Sequence, residues 1–525
     1  MQNADLILYN ANVYTLNKKK PKAQAIAIKN KKITAVGTNQ EILKLKTKNT
    51  RIINLKGGTV IPGLTDCHVH MSAFAHTLQQ INLCNIISIP QLQQKLRQAA
   101  AKKPPNTWIA ARGFDHEKFK EKRLPTRFDL DKAVPNHPTI ITRVCGHLSV
   151  ANSKALEIAN LTNHPKTEKN AKICKDPKTG EPTGILLEDA QQLVMEHLPD
   201  PSEEELLKSY EQACKKATEN GLTSIHWIIS NPTEIQLIQK LHKQKKLPIR
   251  TYIITPIEDI DKLTENGLYT GFGTDQIKIG CVKIFADGSL GASTAALQSP
   301  YADNKTTRGL LVNSKTQLEK LIKKSQKNGF QTAIHAIGDR AIKTVLDALE
   351  HAQKENTNKK NHRHRIEHAS VLNEELIERI QKLKIIISVQ PHFVASDFWI
   401  IKRLGKKRAR WTYPFRTLLI SGIRVCAGSD CPVEPISPLL GIWAAVIREI
   451  SPQERISVDQ AIRMYTVNAA YASFEEKTKG TIEGGKLADL TILAQDPYKV
   501  NPHEIKDIRV TMTIVDGKIV YKRRH

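Results

Sequence analysis

Between about residue 60 and residue 480, short apolar segments alternate with amphipathic stretches of helical periodicity. Such alternation predicts a parallel sheet, because a parallel strand pair needs a crossover connection that is usually a helix. Eight apolar segments can be counted, and eight units indicate an α/β fold of the (β/α)8, or TIM barrel, type. The expected strands are the segment that ends at His68-Val69-His70, then 139–144, 223–227, 277–285, 331–334, 364–367, 385–389 and 424–428.

Helices are expected between these strands, most clearly at 202–220, 315–328 and 373–384. Two of these stretches end in an Asn-Gly pair, Asn220-Gly221 and Asn328-Gly329. Asn or Gly directly after the last periodic residue is a typical helix stop signal. The boundaries of the two helices are therefore predicted together with their existence.

The two ends of the chain share a different pattern, in which short alternating runs are punctuated by Asn and Gly. This pattern is typical of antiparallel strands. Each terminal set is too small to bury a face by itself, since isolated hairpins are marginal in water. We expect residues 1–60 and 480–525 to pair into one small β-sandwich, and residues 61–479 to form the barrel. Residues around 80–200 exceed what one barrel unit needs and read as an insertion.

The formal net charge of +27 raises the question of nucleic-acid binding. The lysines and arginines are scattered, as at 18–20, 29–32 and 402–410, and aromatic residues make up only 5% of the chain. No RRM, KH, zinc-finger or helix-turn-helix pattern is present. A lysine-rich solvated surface explains the charge better, and no specific nucleic-acid partner is expected.

The expected cellular compartment follows from two kinds of segment that are not recognisable in the sequence, a transmembrane run and a signal peptide. No apolar run approaches the roughly 18–20 residues that span a bilayer, and the first ten residues lack a signal-peptide pattern. We expect a cytoplasmic protein without a membrane partner. The eight cysteines form no CxxC pair, so a structural zinc knuckle is not indicated and free, reduced thiols are expected.

His68 and His70 are the first residues that indicate chemistry. Side chains two apart in a strand point to the same face, so both imidazoles would project together. Two converging imidazoles make half of a metal site, because neutral imidazole suits zinc, iron, nickel and copper. An HxH pair also arises by chance in a chain with 18 histidines, so the motif needs support from the other strands.

That support comes from polar residues that follow later apolar segments, where a barrel collects its catalytic groups. They are Lys283, His335, His368 and Asp430, with Arg143-Val144-Cys145-Gly146-His147 after the segment 139–144. Each has an ordinary alternative: a histidine can be a core or loop residue, Asp430 an N-cap, and Lys283 half of an ion pair. Their recurrence in this order at successive strand ends favours one shared site.

Taken together, these stretches resemble the amidohydrolase superfamily of metal-dependent hydrolases. The branch they resemble most is amidohydrolase family 3, the YtcJ-like proteins, which includes enzymes similar to N-substituted formamide deformylase. The matching stretches are 62–70, 282–291, 335–339, 365–369 and 428–432, and residues 480–490 resemble the superfamily's return into the β-sandwich. The resemblance covers essentially the whole chain.

The resemblance implies a site with six metal ligands: His68, His70, Lys283, His335, His368 and Asp430. One divalent ion would be held by the first two histidines and Asp430, and a second by the later two. A carboxylated (carbamylated) Lys283 would bridge the ions, because a lysine ammonium has no lone pair to offer. Two such ions can share a water and lower its pKa towards neutrality, giving a metal-activated hydroxide. Asp430 would act as general base and then as general acid, and Lys283 would also belong to the catalytic set.

Two further residues are candidate substrate contacts. His147 would polarise the scissile carbonyl or position the substrate, and Glu188 would contact metal or substrate or cap the following helix. The family often has Asp before Gly-His, whereas this chain has Cys145. This departure concerns substrate contacts and removes no implied metal ligand.

The expected function is therefore that of a metal-dependent hydrolase that cleaves a non-peptide C–N bond of an amide or formamide-like small molecule. Zinc is the expected cofactor, one or two ions per chain, although iron or manganese suits the same ligands. The alternatives are a deaminase or cyclic-amide hydrolase of the same superfamily and a non-catalytic barrel that binds a metabolite and regulates. A homodimer is left open.

Overall fold

The computed structural model describes residues 3–143, 148–162, 171–355 and 361–524, with the backbone alone at 171, 172, 188 and 189. The chain divides into two compact units. The first combines Met1–Phe74 with Tyr210–His525, and the second is Ala75–Ser209. The chain passes between them within the helices Met71–Gln79 and Glu203–Glu219.

An eight-stranded parallel sheet forms the centre of the first unit. Its strands are hydrogen-bonded to their neighbours in the order of the chain. Most of their residues are buried on both faces, as expected when helices cover a parallel sheet. We number them β1 (Leu64–Val69), β2 (Leu222–Ile228), β3 (Arg250–Pro256), β4 (Ile277–Phe285), β5 (Thr332–Ala336), β6 (Arg365–His368), β7 (Ile386–Val389) and β8 (Val425–Ala427).

The first and last strands of this sheet lie side by side at their carboxyl ends. The backbone N–H of Asp430 donates to the carbonyl of His68 at 2.7 Å, and that of His70 donates to the carbonyl of Cys431 at 2.9 Å. The sheet thus returns to its own first strand, which fits a TIM barrel. All eight carboxyl ends face the same rim, where such barrels carry their active sites.

One predicted barrel strand was wrong, and another was missed. Thr139–Arg143 lies in the sheet of the second unit, between Ile109–Phe114 and Leu148–Ala151. The missing barrel strand is β3, which begins at the charged Arg250 after a lysine-rich segment. A strand buried on both faces has the same composition in any sheet, so the apolar pattern alone could not assign it.

Helices separate the consecutive strands from β2 to β8, and several begin at side-chain caps. Ser314 and Gln317 form a capping box before Lys315–Lys327, and Gly329, at φ +74°, follows this helix as the sequence predicts. The other helices of the first unit are Asn39–Leu43, Thr233–Lys243, Ile260–Glu265, Asp339–Glu355, Glu374–Lys382, Phe393–Ser396, Ile400–Leu404, Lys406–Ala409, Phe415–Ile420, Pro438–Ile447, Val458–Met464 and Val467–Ala472, with 3-10 turns at Ile257–Asp259, Pro452–Glu454 and Pro502–Asp507.

The strands near the two chain ends form two further sheets of the first unit. The first contains, in spatial order, Lys32–Gly37, Ala25–Lys29, Leu6–Tyr9 and Arg51–Asn54. The second contains Lys518–Lys522, Val510–Val515, Leu490–Leu493, Thr59–Pro62, Asn12–Tyr14 and Lys22–Ala23. The two ends pair where Thr59–Pro62 runs antiparallel to Leu490–Leu493. Buried residues from both sheets, including Leu8, Ile26, Val60, Ile492 and Ile514, belong to one hydrophobic cluster.

The second unit is built on a mixed sheet that covers the segment where the sequence suggests an insertion. Its strands, in spatial order, are Ala171–Lys175, Pro182–Glu188, Leu148–Ala151, Thr139–Arg143, Ile109–Phe114 and Ile81–Asn82. Its helices are Ile89–Ala100, Arg127–Asp131, Ser153–Ile158 and Gln192–Met195, with 3-10 turns at His116–Lys118 and Asp189–Gln191. Leu92, Leu96, Ile109, Phe114 and Leu130 belong to the main core of this unit.

Two expectations from the sequence concern the cysteines and membrane-spanning helices. The seven cysteines that lie in the described part of the chain are all unpaired thiols. Among the described residues, none of the helices combines the length and the apolar character needed to cross a bilayer.

Arg250 is the charged residue that connects β3 to the terminal sheet. Its guanidinium is almost fully buried and binds both carboxylate oxygens of Asp489, at 2.6 and 3.0 Å, and also Asp516. A guanidinium that pairs both oxygens of a buried carboxylate makes the strongest type of ion pair in proteins. Removing one partner of such a pair is costly because the other charge stays buried and unpaired.

We expect Arg250→Met to lower the free energy of unfolding by about 3–5 kcal/mol, because Asp489 would lose its counter-charge inside the protein. Urea unfolding followed by circular dichroism measures the change. Lys31→Met is the matched control, since Lys31 contacts the same Asp516 at 3.4 Å but is 64% exposed, and it should cost no more than about 1 kcal/mol. Equal losses in the two variants would contradict a structural role of the buried pair.

Candidate metal centre

His68 and His70 stand at the carboxyl end of β1, as the sequence predicts. The His68 side chain is 1% exposed, and His70 is 33% exposed. The Nδ1 of His68 lies 2.6 Å from the carboxylate of Glu367, which therefore accepts a hydrogen bond from an Nδ1–H. That proton leaves the lone pair of the neutral ring on Nε2, the atom that faces the other candidate ligands.

Asp430 lies close to both of these histidines. Its Oδ1 lies 3.3 Å from His68 Nε2 and 3.2 Å from His70 Nε2. Ligand atoms held about 2.0–2.2 Å from a tetrahedral zinc ion are themselves roughly 3.3–3.5 Å apart. Asp430 therefore stands at ligand-to-ligand distance from each of the two histidines.

His368 completes a cluster with His68 and Asp430. Its ring centre is 4.9 Å from that of His68, and one donor atom from each of the three residues lies within 4.8 Å of the others. His368 Nδ1 is buried and has no hydrogen-bond partner among the described residues. A buried polar atom without a partner is costly, and a ligand for that nitrogen would remove the cost.

Lys283 and His335 extend this cluster from β4 and β5. The Nζ of Lys283 is buried 3.4 Å from His68 Nε2. The His335 ring centre lies 4.5 Å from that of His368, and its Nε2 donates to the carbonyl of Gly288 at 3.0 Å. This hydrogen bond places the lone pair of neutral His335 on Nδ1, so the ring can bind a cation through that atom.

The electrostatics of the cluster favour a positive charge among neutral imidazoles. Burial lowers the pKa of His335 to about 3 and that of His368 well below its ordinary value, so both rings are neutral. Burial and the neighbouring Lys283 act to lower the pKa of His68, but Asp430 and Glu367 outweigh them and raise that pKa. A site between two carboxylates thus attracts a cation, and a divalent ion suits neutral imidazole and ionised carboxylate ligands.

A buried ion pair lies behind His68. Arg365 is fully buried, and its Nε and Nη2 donate to Glu367 at 2.8 and 3.0 Å. The remaining Nη1 lies 2.8 Å from Nδ1 of His226, which accepts from it. Arg365 thereby holds the Glu367 carboxylate ionised and aimed at His68, in the manner of the carboxylates that orient metal-binding histidines.

Asp66 connects the ends of β1 and β8. Its Oδ1 accepts from the backbone N–H of His68 and of Ser429, both at 3.0 Å, and burial raises the pKa of its carboxyl to about 6. Gly428 is required at this junction, because a Cβ there would approach His68 N to 2.5 Å and Asp66 Oδ1 to 2.7 Å. These contacts set the distance between His68 and Asp430.

Asp287 performs the same task between the ends of β4 and β5. Its two oxygens accept from the backbone N–H groups of Ala296, Ile337 and Gly338, at 2.8 to 3.0 Å. One of them also lies 3.6 Å from His335 Nε2. Burial raises the pKa of Asp287 to about 7. The residue braces the loops that flank His335.

The structure therefore brings together His68, His368 and Asp430 directly, His70 through Asp430, Lys283 through His68, and His335 through the ring of His368. His147 lies outside the described residues. Glu188 ends the strand Pro182–Glu188 of the second unit, and its side chain is not described.

Sequence reasoning assigned no role to four residues that position the ligands: Asp66, Asp287, Arg365 and Glu367. One signal was available for two of them. Arg365 and Glu367 are opposite charges two apart in one strand, so alternation places both on one face. Charged residues are seldom fully buried unless they are paired, so two opposite charges within a barrel strand indicate a specific buried ion pair.

Histidine and aspartate side chains gathered at the carboxyl ends of a parallel, barrel-like sheet are typical of the class of metal-dependent hydrolases with this fold. The family model described as "Amidohydrolase family" matches residues 51–521. The chain is 33% identical to the putative amidohydrolase YtcJ of Bacillus subtilis, over 98% of this chain and 99% of that protein. It is 28% identical to the N-substituted formamide deformylase of Arthrobacter pascens, over 99% of both chains.

A solved structure agrees with this assignment. The crystal structure of an uncharacterized metal-dependent hydrolase from Pyrococcus furiosus superposes with a TM-score of 0.80 at 32% identity, covering 94% of this chain and 100% of that one. The chain belongs to the amidohydrolase family and is a metal-dependent hydrolase of the amidohydrolase superfamily. The resemblance noted in the sequence is thereby confirmed.

We expect Glu367→Gln to weaken metal binding about 10–100-fold, because a neutral amide neither fixes the His68 tautomer nor pairs with Arg365. Titration of the metal-free protein with zinc in the presence of a competing chelator measures the affinity. Glu374→Gln, on an exposed helix surface, is the control and should bind metal as the unmodified protein does. Unchanged affinity in Glu367→Gln would show that the carboxylate does not support His68.

Proposed function

We propose that the protein hydrolyses a non-peptide C–N bond in a small N-substituted amide or formamide. The observation that carries the proposal is the convergence of His68, His368 and Asp430 at the carboxyl ends of parallel strands. Two relatives that match nearly the full chain support it, since one is named as a putative amidohydrolase and the other as an N-substituted formamide deformylase.

The residues present fit divalent metal, and zinc is the ion we propose. One set of donors is His68, His70 and Asp430, and a second is His335 and His368, with Lys283 beside His68. Two features favour a bound cation. The Nδ1 of His368 has no hydrogen-bond partner among the described residues, and two carboxylates, Asp430 and Glu367, flank His68. Bound there, the ion supplies a Lewis acid for the carbonyl and lowers the pKa of a water molecule towards neutrality.

Asp430 is the proposed proton carrier. Burial acts to raise its pKa, but the neighbouring His68 and His70 outweigh burial and keep the pKa well below its ordinary value. The carboxylate is therefore ionised near neutral pH and can take a proton from the attacking water. The same oxygen can then deliver that proton to the leaving nitrogen.

Lys283 is proposed to carry a carbamate. Burial lowers the pKa of its amine, which raises the fraction of neutral –NH2, the only form that can add carbon dioxide. Formation of the N–C bond releases one proton and turns the ammonium site into a carboxylate-like anion. That anion would stand beside His68, where it would serve as a negatively charged ligand for the divalent ions that we propose for the site.

We also propose that the two terminal sheets form one small β-sandwich domain, with residues 1–60 and 480–525 as its two parts. The support is the pairing of Thr59–Pro62 with Leu490–Leu493 and the buried cluster that residues of both sheets share. Residues 61–479 would then be the barrel, with an insertion around 80–200. The sandwich would tie the first and last strands of the barrel together, because Thr59–Pro62 leads directly into β1.

We expect Asp430→Asn to lower kcat about 10²–10⁴-fold, because the amide cannot carry the proton. Release of primary amine from a panel of N-formyl and N-acyl amines, read with an amine-reactive dye, measures the rate. Asp347→Asn is the control, since Asp347 pairs with Lys343 and Arg379 on a helix surface and should leave the rate unchanged. Full activity of Asp430→Asn would show that Asp430 is not the proton carrier.

We expect Lys283→Ala to bind less metal per chain and to recover it when acetate or propionate is supplied, because a small carboxylate can replace the missing carbamate. Elemental analysis of the purified protein measures the metal content. Lys343→Ala, which removes an exposed lysine, should bind the full amount. Metal content that is unchanged in Lys283→Ala would argue against the carbamate.

A further inference from the structure

A second histidine–carboxylate pair lies at the rim of the barrel. His392 follows β7, and Glu434 follows β8 a few residues beyond Asp430. The Nδ1 of His392 is hydrogen-bonded to the carboxylate of Glu434. Neither residue belongs to the cluster of candidate ligands in the described chain.

Two contacts place this pair beside the metal centre. Phe393, next to His392, lays its ring parallel to that of His368, with an interplanar angle of 6° and 6.4 Å between centres. On the other strand, the backbone N–H of Val433 donates to the carbonyl of Asp430 at 2.9 Å, closing a turn that leads into Glu434. The pair is thus attached to two candidate ligands, His368 at the end of β6 and Asp430 after β8.

The geometry of the pair defines what His392 can bind. Glu434 accepts from Nδ1–H, so Nε2 of the neutral ring carries a lone pair and acts as a hydrogen-bond acceptor. Within the residues that the structure describes, the hydrogen bond to Glu434 is the one that the His392 ring makes. The His392 side chain is 20% exposed and that of Glu434 is 11% exposed, so a small molecule can reach a ring whose orientation is fixed.

We propose that His392, oriented by Glu434, is a substrate-binding residue that accepts a hydrogen bond from the N–H of the scissile amide. This inference rests on the proposed function and narrows its substrate class to secondary amides. Asp430 must face the leaving nitrogen in order to protonate it. Because Glu434 follows Asp430 after the same strand and binds His392, we place the nitrogen side of the substrate between Asp430 and His392.

A preference between substrates follows. A secondary amide, with one N–H, satisfies the lone pair of His392 Nε2. An N,N-disubstituted amide has no N–H, so binding it would leave that lone pair without a partner in a partly buried site. The protein should therefore favour secondary over tertiary formamides, and the preference should depend on His392 and Glu434.

The test compares kcat and KM for N-butylformamide and N-butyl-N-methylformamide in the metal-loaded protein and two variants. His392→Phe removes the acceptor. Glu434→Gln keeps the imidazole but replaces the anionic acceptor of Nδ1–H by a neutral amide, which can accept from Nδ1–H or donate to Nδ1 and so no longer fixes the tautomer. In both variants we expect the ratio of kcat/KM for the secondary over the tertiary substrate to fall about tenfold, chiefly through a higher KM for the secondary substrate.

Controls separate this role from others. His351→Gln removes a surface histidine that also contacts glutamates, Glu319 and Glu355, and should leave the ratio unchanged. Metal content should be the same in all proteins; loss of metal in His392→Phe and Glu434→Gln alike would overturn the inference by assigning the pair to the metal centre. An unchanged substrate ratio in both variants would overturn it as well.

A readout without substrate distinguishes failure of this inference from failure of the proposed function. Nitrogen-15 shifts of the His392 ring, assigned by comparison with His392→Phe, should show the proton on Nδ1 in the unmodified protein and a larger share of it on Nε2 in Glu434→Gln. A proton on Nε2 in the unmodified protein overturns the inference. If the tautomers are as expected but the metal-loaded protein cleaves neither formamide nor any other amide, the proposed function is wrong and the substrate assignment falls with it.

Discussion

The hydrogen bond between the Glu367 carboxylate and His68 Nδ1 is the contact on which the centre depends. Both groups are fully buried, and a charge in such a place is costly unless it is paired. Arg365 provides the pairing through two hydrogen bonds to Glu367, and its own N–H groups also reach the carbonyl of Cys67 and the hydroxyl of Ser388. The orientation of the first ligand is therefore set from strands β1, β6 and β7 at once.

Backbone strain at the ligands shows that the surrounding contacts determine their positions. His368 and Asp430 have φ of +71° and +58°, the left-handed region that residues other than glycine seldom adopt. Such conformations persist only where neighbouring structure over-determines them. At Asp430 that structure includes the backbone hydrogen bond to His68, and just before it lies Gly428, where no side chain could fit.

Local patterns in the sequence were sufficient for the overall plan of the first unit and for the ligand types. Seven of the eight expected barrel strands lie in the sheet, because apolar runs that end in histidine, lysine or aspartate carry a strong local signal. Thr139–Arg143 failed because a strand buried on both faces does not indicate its sheet. Asp66 and Asp287 received no role because their partners, such as Ser429 and Ile337, are distant in the chain and are brought near only by the fold.

The residues that the sequence did not reveal have a different role from the residues that it did reveal. Ligands need the right atom, which residue type reveals, whereas positioning residues need the right partner, which only the closed sheet supplies. His392 and Glu434 belong to the second kind: neither stands out in the sequence, yet the end of β7 and the end of β8 meet so that one fixes the tautomer of the other. Substrate recognition in this barrel would then depend on the arrangement that also orients His68. In both cases a carboxylate accepts the hydrogen bond from Nδ1–H, and the lone pair of Nε2 is left free to bind a metal ion or the substrate.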